Sequence, residues 1–498
     1  MSFIIRFVDE NDEIREEFLE FVRCPKGIKG EQICNLVKDT VGKLGLDMRD
    51  CRGQGYDGAG NMAGKYIGAA SLIKQDFPSA VYVHCAAHRL NLCVVAACKI
   101  QVIKNMMSTI QRASQFFSNS PKRQSYLEKN IKSIYPESVH TKLIDVCRTR
   151  WIERIDGIVR FEEMMAAIIE TWQEMKLNED DIFNTDTSPD AAGLYTKCRS
   201  FEFIMALVVT RECFYRIRGA TVLLQSRNNM DIMKGYTIMG DLKATLEEVR
   251  DNIETYHQNW FTRAEKLANE INANVDVPRL CGRQTLRENY LVQTPEDYYR
   301  VSISVPFLDH LISQLDARFS TEQLVQAKGF ALIPQVMKKL SNESTEKWKE
   351  EARCFLSHYI LDVPHPLGIE AELDIWKVFW DNKEKSFLPD RLHKTLKEIN
   401  PKVFPNIYTA LKILATLPIT TCEAERSISV IRRLKTYLRS TMTQTRFNGL
   451  ALLHVHQEIN INTEEVLDIF ARKHSRRMQM VNILDSNKEV EQDDGEWY

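Results

Sequence analysis

The sequence has few of the features that mark membrane, secreted or strongly charged proteins. Its 498 residues carry 66 Lys plus Arg against 68 Asp plus Glu, so the net charge of −2 gives no overall field that attracts nucleic acid or an anionic membrane. The longest apolar stretches, such as residues 90–98, fall far below the roughly 18–20 residues that cross a bilayer. Acidic side chains interrupt the first ten residues before any signal-like apolar region. We therefore expect an intracellular protein without a membrane partner.

The cysteine, glycine and proline contents do not indicate a specialised scaffold. None of the 12 cysteines forms a CxxC pair, which argues against a zinc finger and a disulfide framework and predicts free thiols. With 20 Gly, 15 Pro and 44% hydrophobic residues, the composition excludes collagen-like and wholly disordered chains. The chain is long enough for two or three domains, or for one core with a large insertion.

The pattern of hydrophobic residues changes near residue 120. Before it, strand-like and helical segments alternate, which indicates an α/β half-domain. After it, nearly every segment has the 3.6-residue period of a helix. The predicted strands are 2–8 and 80–84, and the predicted helices of the first part are 14–22, 30–44, 61–74 and 86–100. We expect an α/β fold with a large all-α insertion, divided into residues 1–120, 121–400, 401–460 and a terminal helix with an acidic disordered tail at 461–498.

Three segments in the first 151 residues carry candidate chemistry. Asp57 lies among four glycines, which would let a ligand or metal approach the backbone; a tight turn with Asp57 bonded to backbone amides is the structural alternative. Cys85 and His88, with His84, offer three metal-ligand side chains between a strand and a helix, without the second pair that a structural zinc needs. His88 and Arg89 would contact phosphate at the helix start; the alternative is Cys85 in the core and His88 as a hydrogen-bonding residue there. Arg150 and Trp151 would pin a phosphate and stack on a base, or Trp151 would anchor the core.

A fourth segment begins a helix near Thr420. Glu425 is expected on an inward face beside Ile428 and Ser429, where a carboxylate needs a metal or a cation. Arg432 and Arg433 form a basic cluster farther along. The alternatives are an amphipathic surface helix and a helix that combines an acidic catalytic face with a cationic DNA-facing edge.

Together, these four motifs resemble the hAT superfamily of DNA transposases, in order and in spacing. The resemblance extends over about residues 1–460 and is nearest to animal hAT-derived proteins such as the zinc finger MYM-type proteins. It rests on the following runs: Gly55-Tyr56-Asp57-Gly58-Ala59-Gly60-Asn61-Met62, Cys85-Ala86-Ala87-His88-Arg89-Leu90-Asn91-Leu92, Arg150-Trp151, and Cys422-Glu423-Ala424-Glu425-Arg426-Ser427-Ile428-Ser429 with Arg432-Arg433-Leu434-Lys435-Thr436.

The resemblance implies an RNase H-like core, interrupted by the helical insertion and completed by a C-terminal segment that mediates dimerisation. It also implies an Asp-Asp-Glu triad with two divalent metals, Mg²⁺ or Mn²⁺, in active members. Asp57 matches the second Asp and Glu425 the Glu, whereas the strand with the first Asp is absent and Asp9 and Asp12 do not replace it. Cys85, His88 and the Arg150–Trp151 pair match positions implicated in DNA handling.

Because one acid is missing, we expect a transposase-derived protein that acts by self-association rather than by catalysis, with nucleic-acid binding as a secondary property. The enzyme alternative is a metal-dependent DNA transposase or nuclease that uses Asp57, Glu425 and a third acid. A purely helical scaffold is the third interpretation. The resemblance implies a nuclear location, for which the basic run at residues 472–477 gives weak support.

Overall fold

The computed structural model describes residues 1–144, 151–177, 183, 186–225, 231–278, 294–319, 325–435 and 441–473. The chain divides into two compact units, Met1–Ser429 and Val430–Tyr498. Arg150, the basic positions from 474 onward and the predicted tail lie outside the described residues.

The first unit begins with two small sheets. Strand β1 (Ser2–Val8) pairs antiparallel with β2 (Ile14–Phe21), and β3 (Gly53–Tyr56) pairs parallel with β4 (Val81–His84). Helix α1 (Gly30–Lys43) joins the two pairs in sequence. The β1–β2 turn is closed by Asp9, whose Oδ1 accepts from the amides of Asn11 and Glu13 at 2.9 Å. The predicted strands are confirmed.

The prediction of a helix over residues 14–22 is wrong, and a β-bulge explains why. The pairing shifts register so that Phe3 faces Glu20 and Ile4 faces Phe18, which leaves Leu19 as an extra residue on β2. Phe18 and Phe21 are therefore both buried although three positions apart, a spacing typical of a helix. The bulge gives a strand the apparent period of a helix.

The helix predicted over 61–74 is interrupted. The structure has α2 (Gly60–Ala63) and α3 (Ala69–Asp76), separated by a turn from Gly64 to Gly68. A Cβ on Gly68 would lie 2.3 Å from the backbone nitrogen of Gly64, so the close approach of the two residues requires glycine.

Helices fill the first unit from residue 86 to residue 416, as the 3.6-residue period predicts. Their bounds are α4 (Ala86–Ala97), α5 (Gln101–Ser118), α6 (Pro121–Ile134), α7 (Trp151–Glu163), α8 (Met165–Leu177), α9 (Thr187–Cys198), α10 (Phe201–Leu224), α11 (Ile232–Asp251), α12 (Ile253–Glu270), α13 (Pro295–Tyr299), α14 (Val305–Phe319), α15 (Val325–Lys328), α16 (Pro334–Glu343), α17 (Thr345–His358), α18 (Ile369–Asp381), α19 (Leu392–Glu398) and α20 (Pro405–Thr416).

A buried carboxylate helps to join two of these helices. Glu372 of α18 accepts hydrogen bonds from the backbone amides of Asn406 (3.2 Å) and Ile407 (2.8 Å) at the start of α20. These amides have no partner within their own helix, and the helix dipole favours a negative group there. Burial nevertheless raises the pKa of Glu372, because desolvation penalises its charged form.

Three further helices lie near the C-terminus: α21 (Cys422–Leu434), α22 (Gln444–Val455) and α23 (Thr463–Lys473). In the second unit, Phe447 and Ala451 of α22 are buried, whereas residues 457–472 are exposed throughout. No single helix within the described part of the chain is long and apolar enough to cross a membrane; α4 and α5 reach the length and composition only as a pair, with a 103° bend between them.

The described chain is thus mostly helical with few strands, in agreement with the predicted α/β fold with a large all-α insertion. The RNase H-like core and the domain boundaries stay predictions.

Candidate functional site

The parallel pairing of β3 with β4 places two of the predicted motifs at one edge. Tyr56 pairs with His84, so Asp57 and Cys85 both follow the last paired residues. The amide of Cys85 donates to the Tyr56 carbonyl at 3.1 Å, and the Tyr82 hydroxyl donates to the Asp57 carbonyl at 3.2 Å. Ligands of parallel sheets commonly bind at this carboxyl edge.

Asp57 caps a tight turn at this edge. Its Oδ1 accepts from the amide of Ala59 at 3.2 Å, and its side chain is exposed. The next residue, Gly58, is required by packing, because a Cβ there would lie 2.8 Å from Cε1 of His84. The interpretation of this segment as a turn is therefore supported by a hydrogen bond, and the exposed carboxylate remains accessible.

The glycines of β3 accommodate a distant segment of the chain. A Cβ on Gly53 would lie 2.9 Å from Cδ of Pro418, and one on Gly55 would lie 2.8 Å from Cβ of the same proline. The same Cβ on Gly53 would lie 3.0 Å from Cδ2 of Leu417. These two glycines are explained by the close approach of residues 417–418, so they need no bound nucleotide to account for them.

The same distant segment contacts the Cys85 motif. The amide of Ala86 donates to the Ile419 carbonyl at 2.8 Å, and the amide of Thr421 donates to Sγ of Cys85 at 3.3 Å. Sγ also accepts from the amide of His88 at 3.5 Å, at the start of α4. The structure therefore joins the Cys85–His88 motif to the segment that leads into the Cys422–Ser429 motif.

The thiols at this junction are buried. Burial raises the pKa of Cys85, and the nearby Glu425 carboxylate acts in the same direction. Burial also raises the pKa of Cys422 to about 12, and its Sγ donates to the Leu224 carbonyl at 3.6 Å. Both side chains are therefore protonated at neutral pH and act as small hydrogen-bonding groups rather than as thiolates.

Glu425 faces solvent, and the expectation that it lies on an inward face of its helix is wrong. Ile428 and Ser429, on the same side of α21, are exposed too, whereas Cys422 and Ser427 are buried. The buried side of the helix therefore lies opposite the one that the Glu425–Ile428 spacing suggests.

The buried acid of this motif is Glu423. Its Oε2 pairs with Nη1 of Arg426 at 2.5 Å, and Arg426 also donates to the Gln225 carbonyl of the helical region. Sequence reasoning did not single out Glu423 or Arg426 as site residues, because an i,i+3 charge pair is also typical of a surface helix.

Of the remaining predicted residues, Arg150 lies outside the described part of the chain. Trp151 is the first residue of α7, and Arg432 and Arg433 of α21 are exposed. Asp12 accepts from the Tyr408 hydroxyl at 2.5 Å, so this acid serves a structural contact.

No group of three or more His, Cys, Asp or Glu side chains suited to a metal ion occurs among the residues that the structure describes. Asp57 and Glu425 as metal ligands stay a prediction.

Two family models match parts of the chain. Residues 1–68 match a ZMYM1/FAM200 RNase-like domain, and residues 394–459 match the hAT family C-terminal dimerisation region. The second match includes the Cys422–Ser429 motif and the exposed Arg432–Arg433 pair.

Curated relatives match along nearly the whole chain. The human 52 kDa repressor of the inhibitor of the protein kinase is 28% identical over 482 residues, which cover 96% of this chain and 62% of that protein. Its mouse counterpart is 28% identical over 492 residues, covering 96% and 63%. The chain thus spans less than two thirds of the length of these relatives. The predicted resemblance to hAT-derived proteins is confirmed.

Proposed function

We propose that this chain, a relative of hAT transposase-derived proteins, acts by self-association through its C-terminal region. The observation that carries the proposal is the match of residues 394–459 to the hAT dimerisation region. Within that range, Ile428 and Leu453 expose 52% and 54% of their surface. Exposed apolar side chains gain most from burial against a partner, at roughly 25 cal/mol per Å².

The helix that follows the matched range supports the same proposal. Helix α23 has 11 residues and is exposed along its described length, including the apolar Val466, Leu467 and Ile469. Isolated helices shorter than about 12–15 residues are marginal in water, because the nucleation cost is not repaid. A second copy of the chain that covers this apolar side would stabilise the helix.

An RNase H-like origin of the first 84 residues belongs to the proposal. It is supported by the match of residues 1–68 to an RNase-like domain and by the order of the elements, an antiparallel strand pair, a helix and a parallel strand pair. The contact between Cys85 and Thr421, which brings the matched C-terminal region to this part, supports the same origin. In this interpretation Asp57 and Glu425 are remnants of a catalytic triad.

The mass of the full chain in solution, measured by light scattering after gel filtration, tests self-association. We expect at least twice the 57.7 kDa of one chain, and a mass near 57.7 kDa for the double variant Ile428→Asp with Leu453→Asp. The matched control is Leu367→Asp, a fully exposed leucine outside the matched range. An unchanged mass for the double variant would reject this interface.

Nucleic-acid binding is a second candidate function, favoured by the exposed Arg432 and Arg433. Each phosphate contact adds about one unit to the slope of log affinity against log salt. We expect Arg432→Glu with Arg433→Glu to weaken duplex DNA binding and flatten that slope, whereas Lys338→Glu with Lys339→Glu on α16 leaves both unchanged. Equal effects of the two pairs would remove Arg432 and Arg433 as a binding surface. If the chain binds DNA in the cell, we expect it in the nucleus.

A further inference from the structure

A cavity of about 400 Å³ lies beside the carboxyl end of β4, within the first unit. Its walls come from the strand β4 and from the helices α4, α11, α14 and α15. Its volume falls in the usual range of about 300–1,000 Å³ for small-molecule sites. The residues that matter for its chemistry are Tyr82, His84, Arg89, Tyr236, Arg318 and Gln326.

Two arginines reach this cavity because α4 packs against α14. Sγ of Cys93 donates to the Gln314 carbonyl at 3.3 Å, and His310 contacts the Ala96 carbonyl at 3.2 Å. This packing brings the start of α4, with Arg89, to the end of α14, with Arg318. The packing of the two helices therefore places the backbone of both arginines beside the cavity.

Arg89 is also oriented by aromatic rings. Its guanidinium carbon lies 4.4 Å from the centroid of the Phe319 ring. Arg89 is also close enough to Tyr236 to act on the pKa of that hydroxyl, which burial raises and Arg89 lowers. Stacking on a ring occupies the flat face of a guanidinium and leaves its edge free to donate hydrogen bonds. Arg318 donates to the Gln314 side chain, which is neutral, and keeps other donors available.

The cavity carries positive charge that its described walls do not neutralise. Among the residues that the structure describes, no Asp or Glu lines it, and neither arginine forms an ion pair with a carboxylate. The pKa of His84 agrees with a positive surrounding. Burial lowers this pKa to about 4, and the charges of His88, Arg89 and Arg318 lower it further, whereas Asp57 raises it. Two partly buried cations without a counter-charge favour an anion.

The other walls are aromatic, apolar or neutral and polar. Tyr82, Tyr236, Leu92 and Ile232 offer flat or apolar surface, and Gln326 offers an amide. Nε2 of His84 is buried without a hydrogen-bond partner among the described residues. A ligand that combines an anionic group with a flat polar ring would satisfy both kinds of wall.

We propose that this cavity binds a nucleoside phosphate, with Arg89 and Arg318 holding the phosphate and the tyrosine-lined wall contacting the base. The phosphate comes either from a free mononucleotide or from the end of a single nucleic-acid strand. The strand-end form of this ligand would extend the proposed nucleic-acid binding to a second surface. The site shares no residue with the dimerisation region at 394–459 or with the Arg432–Arg433 pair, so its test is independent of theirs.

Calorimetric titration of the full chain tests the proposal. The probes are deoxythymidine 5′-monophosphate, a 5′-phosphorylated pentathymidine, the same pentamer without the phosphate, and inorganic phosphate. We expect saturable binding of at least one phosphorylated nucleotide probe and weaker binding of the unphosphorylated pentamer. Preference for the monophosphate identifies a free nucleotide as the ligand, and preference for the phosphorylated pentamer identifies a strand end. Binding of none of the probes, or of inorganic phosphate alone, would overturn the proposal.

Variants assign the binding to the cavity. We expect Arg318→Gln to weaken nucleotide binding by about tenfold or more, because a charge-assisted hydrogen bond to the phosphate is lost. The control Arg112→Gln removes the same charge from the exposed side of α5 and leaves binding unchanged. A second variant, Tyr236→Leu, weakens the monophosphate more than inorganic phosphate. Equal affinities of Arg318→Gln and Arg112→Gln, at equal melting temperatures, would place the ligand elsewhere.

Discussion

The two hydrophobic cores of the first unit differ in size and in the residues that fill them. The smaller one, the α/β core, is built from β1, α1 and α3 around Phe3, Ile33 and Ile73. The larger one, the helical core, extends from Val81 to Ile419. Among the residues that the structure describes, it contains four fully buried tryptophans: Trp172, Trp348, Trp376 and Trp380. The helical core therefore contains the large aromatic side chains that each bury about 150–250 Å².

The difference between the two cores indicates which of them stabilises the chain and which supports the candidate site. Strand β4 and the segment at residues 417–419 belong to the helical core, although β4 pairs with β3 of the α/β part. The Cys85 junction and the cavity beside it are thus held by the larger core. We expect the helical core to determine global unfolding, and the α/β core to add a smaller increment.

The largest effect is expected from a tryptophan of the helical core. Trp348 is fully buried, and its Nε1 donates to the Ala331 carbonyl at 2.8 Å. Trp348→Ala should lower the free energy of unfolding by about 3–5 kcal/mol, through the lost area and the cavity that remains. Denaturant unfolding followed by circular dichroism measures the loss. Trp348→Phe, which keeps a ring and loses the hydrogen bond, should lose less; a cost below about 1 kcal/mol for the alanine variant would contradict the dominance of the helical core.

The second-largest effect is expected from acid, which should lower the stability of the helical core. His257 is fully buried, with Nε2 2.9 Å from the Glu296 carbonyl and Nδ1 2.9 Å from the Ser304 hydroxyl; the neutral ring donates to the first and accepts from the second. Burial lowers its pKa to about 4, with Arg300 acting in the same direction. Between about pH 6.5 and pH 4 the unfolded chain therefore binds more protons than the folded one.

The stability that His257 contributes is full above about pH 6.5 and is lost as the pH falls, by at most about 1.4 kcal/mol per pH unit. Unfolding of wild type and His257→Gln at pH 7.5 and pH 5 measures this slope, which should be shallower in the variant. Parallel slopes would show that His257 titrates alike in both states. Other histidines with lowered pKa values are present in both proteins and cancel in the comparison: His84, His358 and His393.

A smaller loss of stability is expected at the contact between β3 and Pro418. Gly55→Ala would place a Cβ 2.8 Å from Pro418, so the strand or the proline must move. We expect a loss of about 1–3 kcal/mol, typical of overpacking. Gly193→Ala on α9, where nothing lies within 4 Å, is the control and should be neutral or stabilising by up to about 1 kcal/mol. Equal melting temperatures of the two variants would refute the close approach at Pro418.

The smallest effect compares one chemical change in the two cores. Ile33→Val and Ile204→Val each remove one methylene from a buried side chain. Both should cost about 0.5–1.5 kcal/mol, with Ile204 at the upper end because a core closed on all sides relaxes less around a void. Chemical denaturation of the two variants measures the order. A larger loss of unfolding free energy for Ile33→Val than for Ile204→Val would contradict the larger role of the helical core in stability.

Much of the fold could be predicted from local patterns, and the exceptions have local causes. The period of the helices from α4 to α20 is strong, and β1 and β4 stand out as short apolar runs. Strand β2 has the sequence pattern of a helix because the bulge at Leu19 puts Phe18 and Phe21 on one side. The orientation of α21 could not be predicted correctly because its exposed side includes the apolar Ile428.

The candidate site was only partly predictable. Asp57, Cys85 and His88 stand out by spacing, whereas Arg318 has no local signal: a single arginine at the end of an amphipathic helix is common. Its importance comes from the packing of α14 on α4, which no periodicity specifies.

The sequence by itself determined the high helical content, the positions of most elements and the resemblance to hAT-derived proteins. Periodicity and motif spacing are local properties of the sequence. Only the tertiary structure brought Thr421 to Cys85 across 336 positions, packed Pro418 on Gly55 and placed Arg89 with Arg318 at one cavity. The physical reason is that burial of apolar surface is non-directional: local patterns say which faces are buried, and the packing of whole helices decides against what.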